Sequence, residues 1–185
     1  MAKSPAIARQ NPTDGMRFAN SSVTIEAASH AIRLVLRATA KGAKEFGRTL
    51  GLALPTNPGS SITKAGLTAL WIGPDEWIII DEKETLDPAR SKREGKDYCM
   101  VDISHRNTAF VVSGDGAANT INAGCPRDLS LTAFPVGSGS RTVFGKAEIV
   151  LLRTAKTRFR VECWRSFAPY VKDLLLAGSK DAHIN

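Results

Sequence analysis

The spacing of apolar positions changes several times along this chain, and each change predicts an element. AIRLVLR (31–37) alternates, with Ile32, Leu34 and Leu36 on one face, and reads as a strand. Thr39 is placed to cap a helix in which Ala43, Phe46, Gly47 and Leu50 fall at i, i+3, i+4 and i+7, and Gly51 stops it. LALPTNPGS reads as a loop. Residues 69–72 and 77–81 read as two strands joined by Gly73-Pro74-Asp75-Glu76. Proline presets the second position of a type I turn and Asp suits the third, so Asp75 and Glu76 are expected to be turn residues projecting into water. The run WIII lacks polar alternation, which predicts a strand covered on both faces.

DEKETLDPARSKREGK (81–96) is charged and poor in apolar residues, and reads as an exposed linker over 82–97. Beyond it the order of elements repeats. VDIS is a short strand, and Thr108, Phe110 and Val112 alternate with Asn107, Ala109 and Val111 in a longer one. Asp115 is expected to cap a short helix over 116–123, ended by Gly124 and Pro126. After the loop AFPVGSGS, residues 143–153 and 158–164 predict a hairpin through TAKT. Ser166 then caps a helix with an apolar face of Phe167, Tyr170, Val171 and Leu174, ending near Gly178. Strand, helix, loop, strand, turn, strand thus occurs twice. The expected fold is α+β: two similar β-α-β-β halves (about 22–82 and 98–178) packed as one domain over 22–178. Residues 1–21 are expected to be a flexible tail and 179–185 a short C-terminal one.

At 185 residues the chain is long enough for one domain with a substantial core. No run approaches the roughly 20 apolar residues of a membrane helix, and the N-terminal stretch has no apolar core of signal-peptide length. A cytoplasmic location is expected. Cys99, Cys125 and Cys163 are odd in number and far apart, which argues against a disulfide framework or a CxxC site. His30, His105 and His183 show no metal-ligand spacing.

The net charge of +7 is concentrated. Between 141 and 172 stand eight basic residues and two acids, Glu148 and Glu162, a surface suited to an acidic partner or an anionic ligand. No nucleic-acid motif accompanies it, and nucleic acid is not an expected partner. SHR (104–106) beside Asp102 lacks a serine in a nucleophile elbow, so Asp102 is expected to hold a local backbone or Arg106 contact. VSGDGA lacks the third glycine of a dinucleotide fingerprint and the GK[ST] of a P-loop. Arg158, Arg160 and Trp164 should share one face of the last strand, opposite Phe159, Val161 and Cys163. With Arg165 they are the candidate partner contacts, because Arg and Trp most often anchor interfaces; the competing reading is an edge strand with a solvated basic face. Trp71, Trp77 and Trp164 can each be core or contact.

Five stretches carry a family resemblance: GPDEW, VDISHRNTAFVVSGDGA, GCPRDLSLTAFPVG, RTVFGKAEIVLLR and FRVECWRSFAPYV. In order and spacing, from about 33 to 176, they resemble the gamma subunit of heterotetrameric sarcosine oxidase. That family is similar in fold to the folate-binding domain of the glycine-cleavage T-protein, whose DLSHxGxxxVxGxDA segment VDISHR…VSGDGA resembles. At GKAEIVLL the chain departs from the folate proteins, since Glu148 is the one acid there. The resemblance implies a noncatalytic subunit packed on an alpha subunit, with beta and delta subunits completing the complex. It implies FAD, FMN, NAD, tetrahydrofolate and zinc in those partner subunits and no cofactor in this chain. The complex so implied oxidises sarcosine to glycine, with formaldehyde or 5,10-methylenetetrahydrofolate and hydrogen peroxide as products. A free-standing tetrahydrofolate-binding one-carbon module is the alternative, and an RNA-binding factor a weaker one.

Overall fold

The computed structural model describes residues 12–87 and 97–182. The strands are β1 (Arg17–Ala19), β2 (Thr24–Ala27), β3 (Ile32–Ala38), β4 (Ser61–Lys64), β5 (Leu67–Gly73), β6 (Glu76–Asp81), β7 (Tyr98–Asp102), β8 (Asn107–Ser113), β9 (Gly139–Phe144), β10 (Ala147–Ala155) and β11 (Arg158–Trp164). The helices are α1 (Ala40–Leu50), α2 (Ala117–Asn122) and α3 (Ala168–Asp181). One sheet has the order β4-β5-β6-β3-β7, the other β1-β2-β8-β11-β10-β9, and every strand pair is antiparallel.

The sheets pack face to face. Leu70, Ile72, Ile78, Ile80 and Ile103 of the first sheet side meet Leu152 and Val150 of the second. Behind the first sheet, Phe46 of α1 packs on Leu34, Leu36, Trp77 and Ile79. Behind the second, Ala117 and Ile121 of α2 and Val171 and Leu175 of α3 pack on Phe110, Ile149, Leu151 and Phe159. Each central strand therefore has apolar neighbours on both faces. That is why Trp77 to Ile80 are all buried, as the unalternating WIII predicts.

The two similar β-α-β-β halves are present, and several of their backbone hydrogen bonds match. Ala38 N–H donates to Asp75 O, and Gly114 N–H to Thr157 O. Trp71 N–H donates to Ser60 O, and Arg153 N–H to Ser138 O. Both hairpins shift register at the matching place, between Trp71 and Gly73 and between Arg153 and Ala155. Where the halves meet, Ser61 N–H donates to Gly137 O and Gly139 N–H to Gly59 O. The strand that leads each half crosses over: β2 pairs with β8, and β7 pairs with β3.

Several expectations are corrected. Asp75 has φ 57, the left-handed conformation of a type II turn; a type I turn would need a negative φ there. Asp81 is not an exposed linker residue. It is 1% exposed, and its carboxylate accepts from the backbone N–H of Lys83, Thr85 and Leu86. α2 starts at Gly116 with no side-chain cap, so Asp115 does not cap it. The stretch 143–153 is not one strand: Gly145, at φ 57, turns the chain between β9 and β10. The last helix is entered through a 3-10 turn, Arg165–Phe167, with no side-chain cap, and it runs on to Asp181. Its buried face is Ala168, Val171, Leu175, Gly178 and Ser179, while Phe167 and Tyr170 are exposed. Gly178 is needed there, because a Cβ would stand 2.6 Å from Thr120 O of α2. The N-terminal segment from residue 12 joins the second sheet through β1, and the Thr13 hydroxyl hydrogen-bonds Thr108 at 3.1 Å. The expectations for residues 1–11, 88–96 and 183–185 lie outside the described residues.

Candidate functional site

β11 is a central strand between β8 and β10, so the edge-strand reading is overturned. Its face toward the first sheet carries Arg158, Arg160, Glu162 and Trp164, and register alone spaces them along that face. Burial divides them. Arg158 at one end and Trp164 at the other are exposed, while Arg160 and Glu162 between them are buried.

The buried pair forms a network that clamps the two sheets. Glu162 accepts from Arg33 Nε on β3 and from Arg160 Nε, each at 2.7 Å. Arg160 Nη1 reaches Glu82, just past β6, at 2.7 Å, and Arg33 Nη1 donates to Ala31 O at 3.0 Å. Burial by itself would raise the Glu162 carboxyl. The charges of Arg160 and Arg33, with their hydrogen bonds, outweigh it and hold the group below the usual carboxylate range. Burial, with the Glu162 charge beside it, pushes the Cys163 thiol up to about 12, so this thiol stays protonated and unreactive. Arg160 is thus spent inside the chain and is withdrawn as a partner contact. Its Nη2 is buried without a hydrogen-bond partner, and the residue is among those lining a cleft of about 400 Å3 between the sheets, with Thr63, Thr68, Glu82 and Arg158.

Trp164 and Arg165 belong to a different surface. Trp164, Phe167 and Tyr170 are 39–40% exposed, unusual for three aromatics within seven residues. They are held in place. The Trp164 and Phe167 rings lie 6.3 Å apart, the Arg106 guanidinium sits 5.2 Å from the Trp164 ring centre, and Tyr170 Oη accepts from Lys146 N–H. Arg165 N–H donates to Arg106 O at 2.8 Å, tying the start of the last helix to the β7–β8 turn. Exposed Val143 on β9 adds apolar area to the same end of the sheet. The arrangement is an aromatic platform rimmed by cations, chemistry suited to holding a protein surface.

Asp102 accepts from the N–H and hydroxyl of Ser104, the local role expected of it, while Arg106 pairs with Asn107 and Trp164. Glu76 does not project into water; it bridges to Arg141 of β9 at 3.0 Å. Trp77 is core, its indole N–H donating to Pro55 O at 2.7 Å, and Trp71 is half-buried. Sequence reading misses Arg33 and Glu82, and offers Arg106 only as a contact of Asp102. Their long-range partners, Glu162, Arg160 and Trp164, lie between 58 and 129 residues away, and local pattern carries no signal for such contacts.

No helix among the described residues is long and apolar enough to cross a membrane. The fold is similar to a chain of the heterotetrameric sarcosine oxidase of Corynebacterium sp. U-96 solved with pyrrole 2-carboxylate. The TM-score is 0.82 at 24% identity, over 94% of this chain and 96% of that one. It is also similar to the glycine cleavage system aminomethyltransferase T of Bartonella henselae, with a TM-score of 0.63 at 14% identity, over 85% of this chain and 46% of that one. Among curated proteins, the chain is 27% identical over 123 residues to the sarcosine oxidase subunit gamma of Arthrobacter sp, covering 65% of this chain and 61% of that protein. It is 25% identical over 141 residues to that of Corynebacterium sp. (strain P-1), covering 73% and 68%. The match thus spans less than two thirds of the Arthrobacter protein. The model of the sarcosine oxidase gamma subunit family matches residues 37–181, well over half of the chain, and the chain belongs to that family.

Proposed function

We propose that this chain is a noncatalytic structural subunit of a heterotetrameric sarcosine oxidase, docked on the alpha subunit of a complex that oxidatively demethylates sarcosine to glycine. Formaldehyde or 5,10-methylenetetrahydrofolate and hydrogen peroxide are the other products. The redox cofactors belong to the partner subunits. The observation that carries this reading is the ordered, exposed platform of Trp164, Phe167 and Tyr170 with Arg106 and Arg165, in a chain of this family. Rings fixed in place lose little further freedom on docking, which favours association. The concentration of basic residues on the C-terminal half favours an acidic partner surface.

The test is purification of the complex from the source cell through an affinity tag on this chain. Flavin absorbance should copurify, and Trp164→Ala with Phe167→Ala should cut retention of the larger subunits at least tenfold. Turnover of sarcosine by this chain alone, with no other polypeptide present, would end the proposal.

The second reading, a tetrahydrofolate-binding one-carbon module, is favoured by the cleft at Arg158 and Arg160, where cations face a cavity of about 400 Å3. Titration of the purified chain with tetrahydrofolate, followed by tryptophan fluorescence, separates the two. Micromolar saturation that Arg158→Ala removes supports the module, and no change in fluorescence eliminates it.

A further inference from the structure

The matched hydrogen bonds of the two halves identify one place where they differ in shape. Ser60 N–H donates to Asn57 O, and Ser138 N–H donates to Pro135 O. The preceding helices are C-capped at Gly51 and Ala123. From C-cap to matched carbonyl the chain runs from 51 to 57 in the first half and from 123 to 135 in the second, six residues longer. That longer run carries Leu129 and Phe134, both buried against the core behind the second sheet. Arg153 donates to Leu129 O and lies 4.5 Å over the Phe159 ring, closing the space.

In the first half, Trp71 and Trp77 hold the places of Arg153 and Phe159, and Thr56 holds that of Phe134. Thr56 is exposed, and its short polar side chain does not reproduce the buried ring of Phe134. What remains is a groove of about 730 Å3 beside α1, with Ala43, Ala53, Thr56 and Trp71 in its walls and Lys44 and Arg48 among its lining residues. The lining is mostly apolar, as expected of a site that receives a hydrophobic side chain.

We infer that this groove is the seat of an aromatic or leucine side chain carried on a turn of a partner chain, doing between chains what Phe134 does within one. Lys44 and Arg48, both exposed on α1, outnumber the one acid of the lining, Asp75, and fit acidic residues flanking that side chain. The chain itself has no segment suited to the role. Residues 1–11, 88–96 and 183–185 contain no leucine and no aromatic residue. The aromatic platform at Trp164 is on the other sheet, so the groove is a second contact for the partner. This inference rests on the reading of the chain as a subunit of a larger complex and deepens it.

The test places a photoreactive benzoylphenylalanine at Thr56 in the tagged chain and irradiates the assembled complex. The expected result is a crosslink to a partner subunit, at a peptide bearing an aromatic or leucine residue with acidic neighbours. Ala53→Trp, an exposed position that fills the groove, should lower retention of that subunit at least tenfold without lowering the melting temperature of the chain, and Ala53→Ser should not. An assembled complex with no crosslink, or a crosslink to a second copy of this chain, overturns the groove while leaving the subunit reading intact. Failure of any larger subunit to copurify with the unaltered chain overturns both.

Discussion

Thr56 and Phe134 hold matching places in the two halves and have opposite fates. Phe134 is 1% exposed and completes a core; Thr56 stands in solvent at the wall of a groove. The helices differ in the same sense. α1 is held by its own end, with the Thr39 hydroxyl accepting from Gly42 N–H and Gly51 closing it in the left-handed conformation. α2 has no side-chain cap, only six residues, and a second helix, α3, laid across it. A short uncapped helix is marginal by itself and depends on tertiary packing. The lesson is that the duplicated backbone sets the hydrogen bonds, while loop length and the extra helix set which half is closed and which remains open.

The largest expected effect breaks the link between the halves. Glu162→Gln leaves two buried guanidinium groups, Arg33 and Arg160, without their shared counter-charge. Breaking one partner of a buried ion network costs about 3–5 kcal/mol, readable as a lower urea midpoint at pH 7. The carboxyl of Glu162 is depressed in the fold, so its contribution is fully present above the ordinary carboxylate range and is lost as pH falls through the folded value. The difference between wild type and Glu162→Gln should therefore shrink on acidification. A difference that grows as pH falls contradicts the network.

Next comes the direct comparison of matched sites. Phe134→Ala should cost about 3 kcal/mol, the low end for removing a buried aromatic ring, since the loop around it can partly collapse. Thr56→Ala, the matching truncation, should change the unfolding free energy by less than about 0.5 kcal/mol, as for an exposed residue with no special role. Equal effects would show that the halves are not closed differently. The helix caps give a smaller contrast. Thr39→Ala should cost about 1 kcal/mol, whereas Asp115→Ala should cost almost nothing.

The smallest effect concerns the thiols. Cys99 is exposed on β7, and Cys125 and Cys163 are buried. A disulfide reagent at neutral pH should therefore label one thiol in the native chain and three after denaturation. Rapid labelling of Cys163 would contradict its burial in the core behind the second sheet.

Much of the fold was legible in the chain because it is local. The alternation in AIRLVLR, the Thr39 cap, the Gly51 stop and the unbroken WIII each act within one element, and the structure has them all. The misreadings were of residues whose role is set across long stretches. Asp115 looks like a cap by sequence, but Gly116, anchored through its N–H to Ser22 O far upstream, is the N-cap residue, and Ala117 N–H donates to Gly114 O. The stretch 143–153 is apolar enough to read as one strand, which hides the turn at Gly145. Arg160 reads as surface because the stretch is basic; Glu162 stands only two residues along on the same face, but what buries the pair is Arg33 of the other sheet and Glu82, 78 residues away. Of the four candidate contacts, Trp164, Arg165 and Arg158 have exposure to offer and Arg160 does not.

By itself the sequence determined what period, cap and turn chemistry can determine: an α+β chain with a strand-helix-strand-strand order used twice, and the stretches that place it in its family. The tertiary structure alone decided that the leading strands cross over, that Arg33, Glu162 and Arg160 join the sheets, and that one half is plugged while the other is grooved. The physical reason is range. Backbone preference and side-chain spacing act over a few residues, whereas burial and ion pairing depend on which distant segments the fold brings into contact.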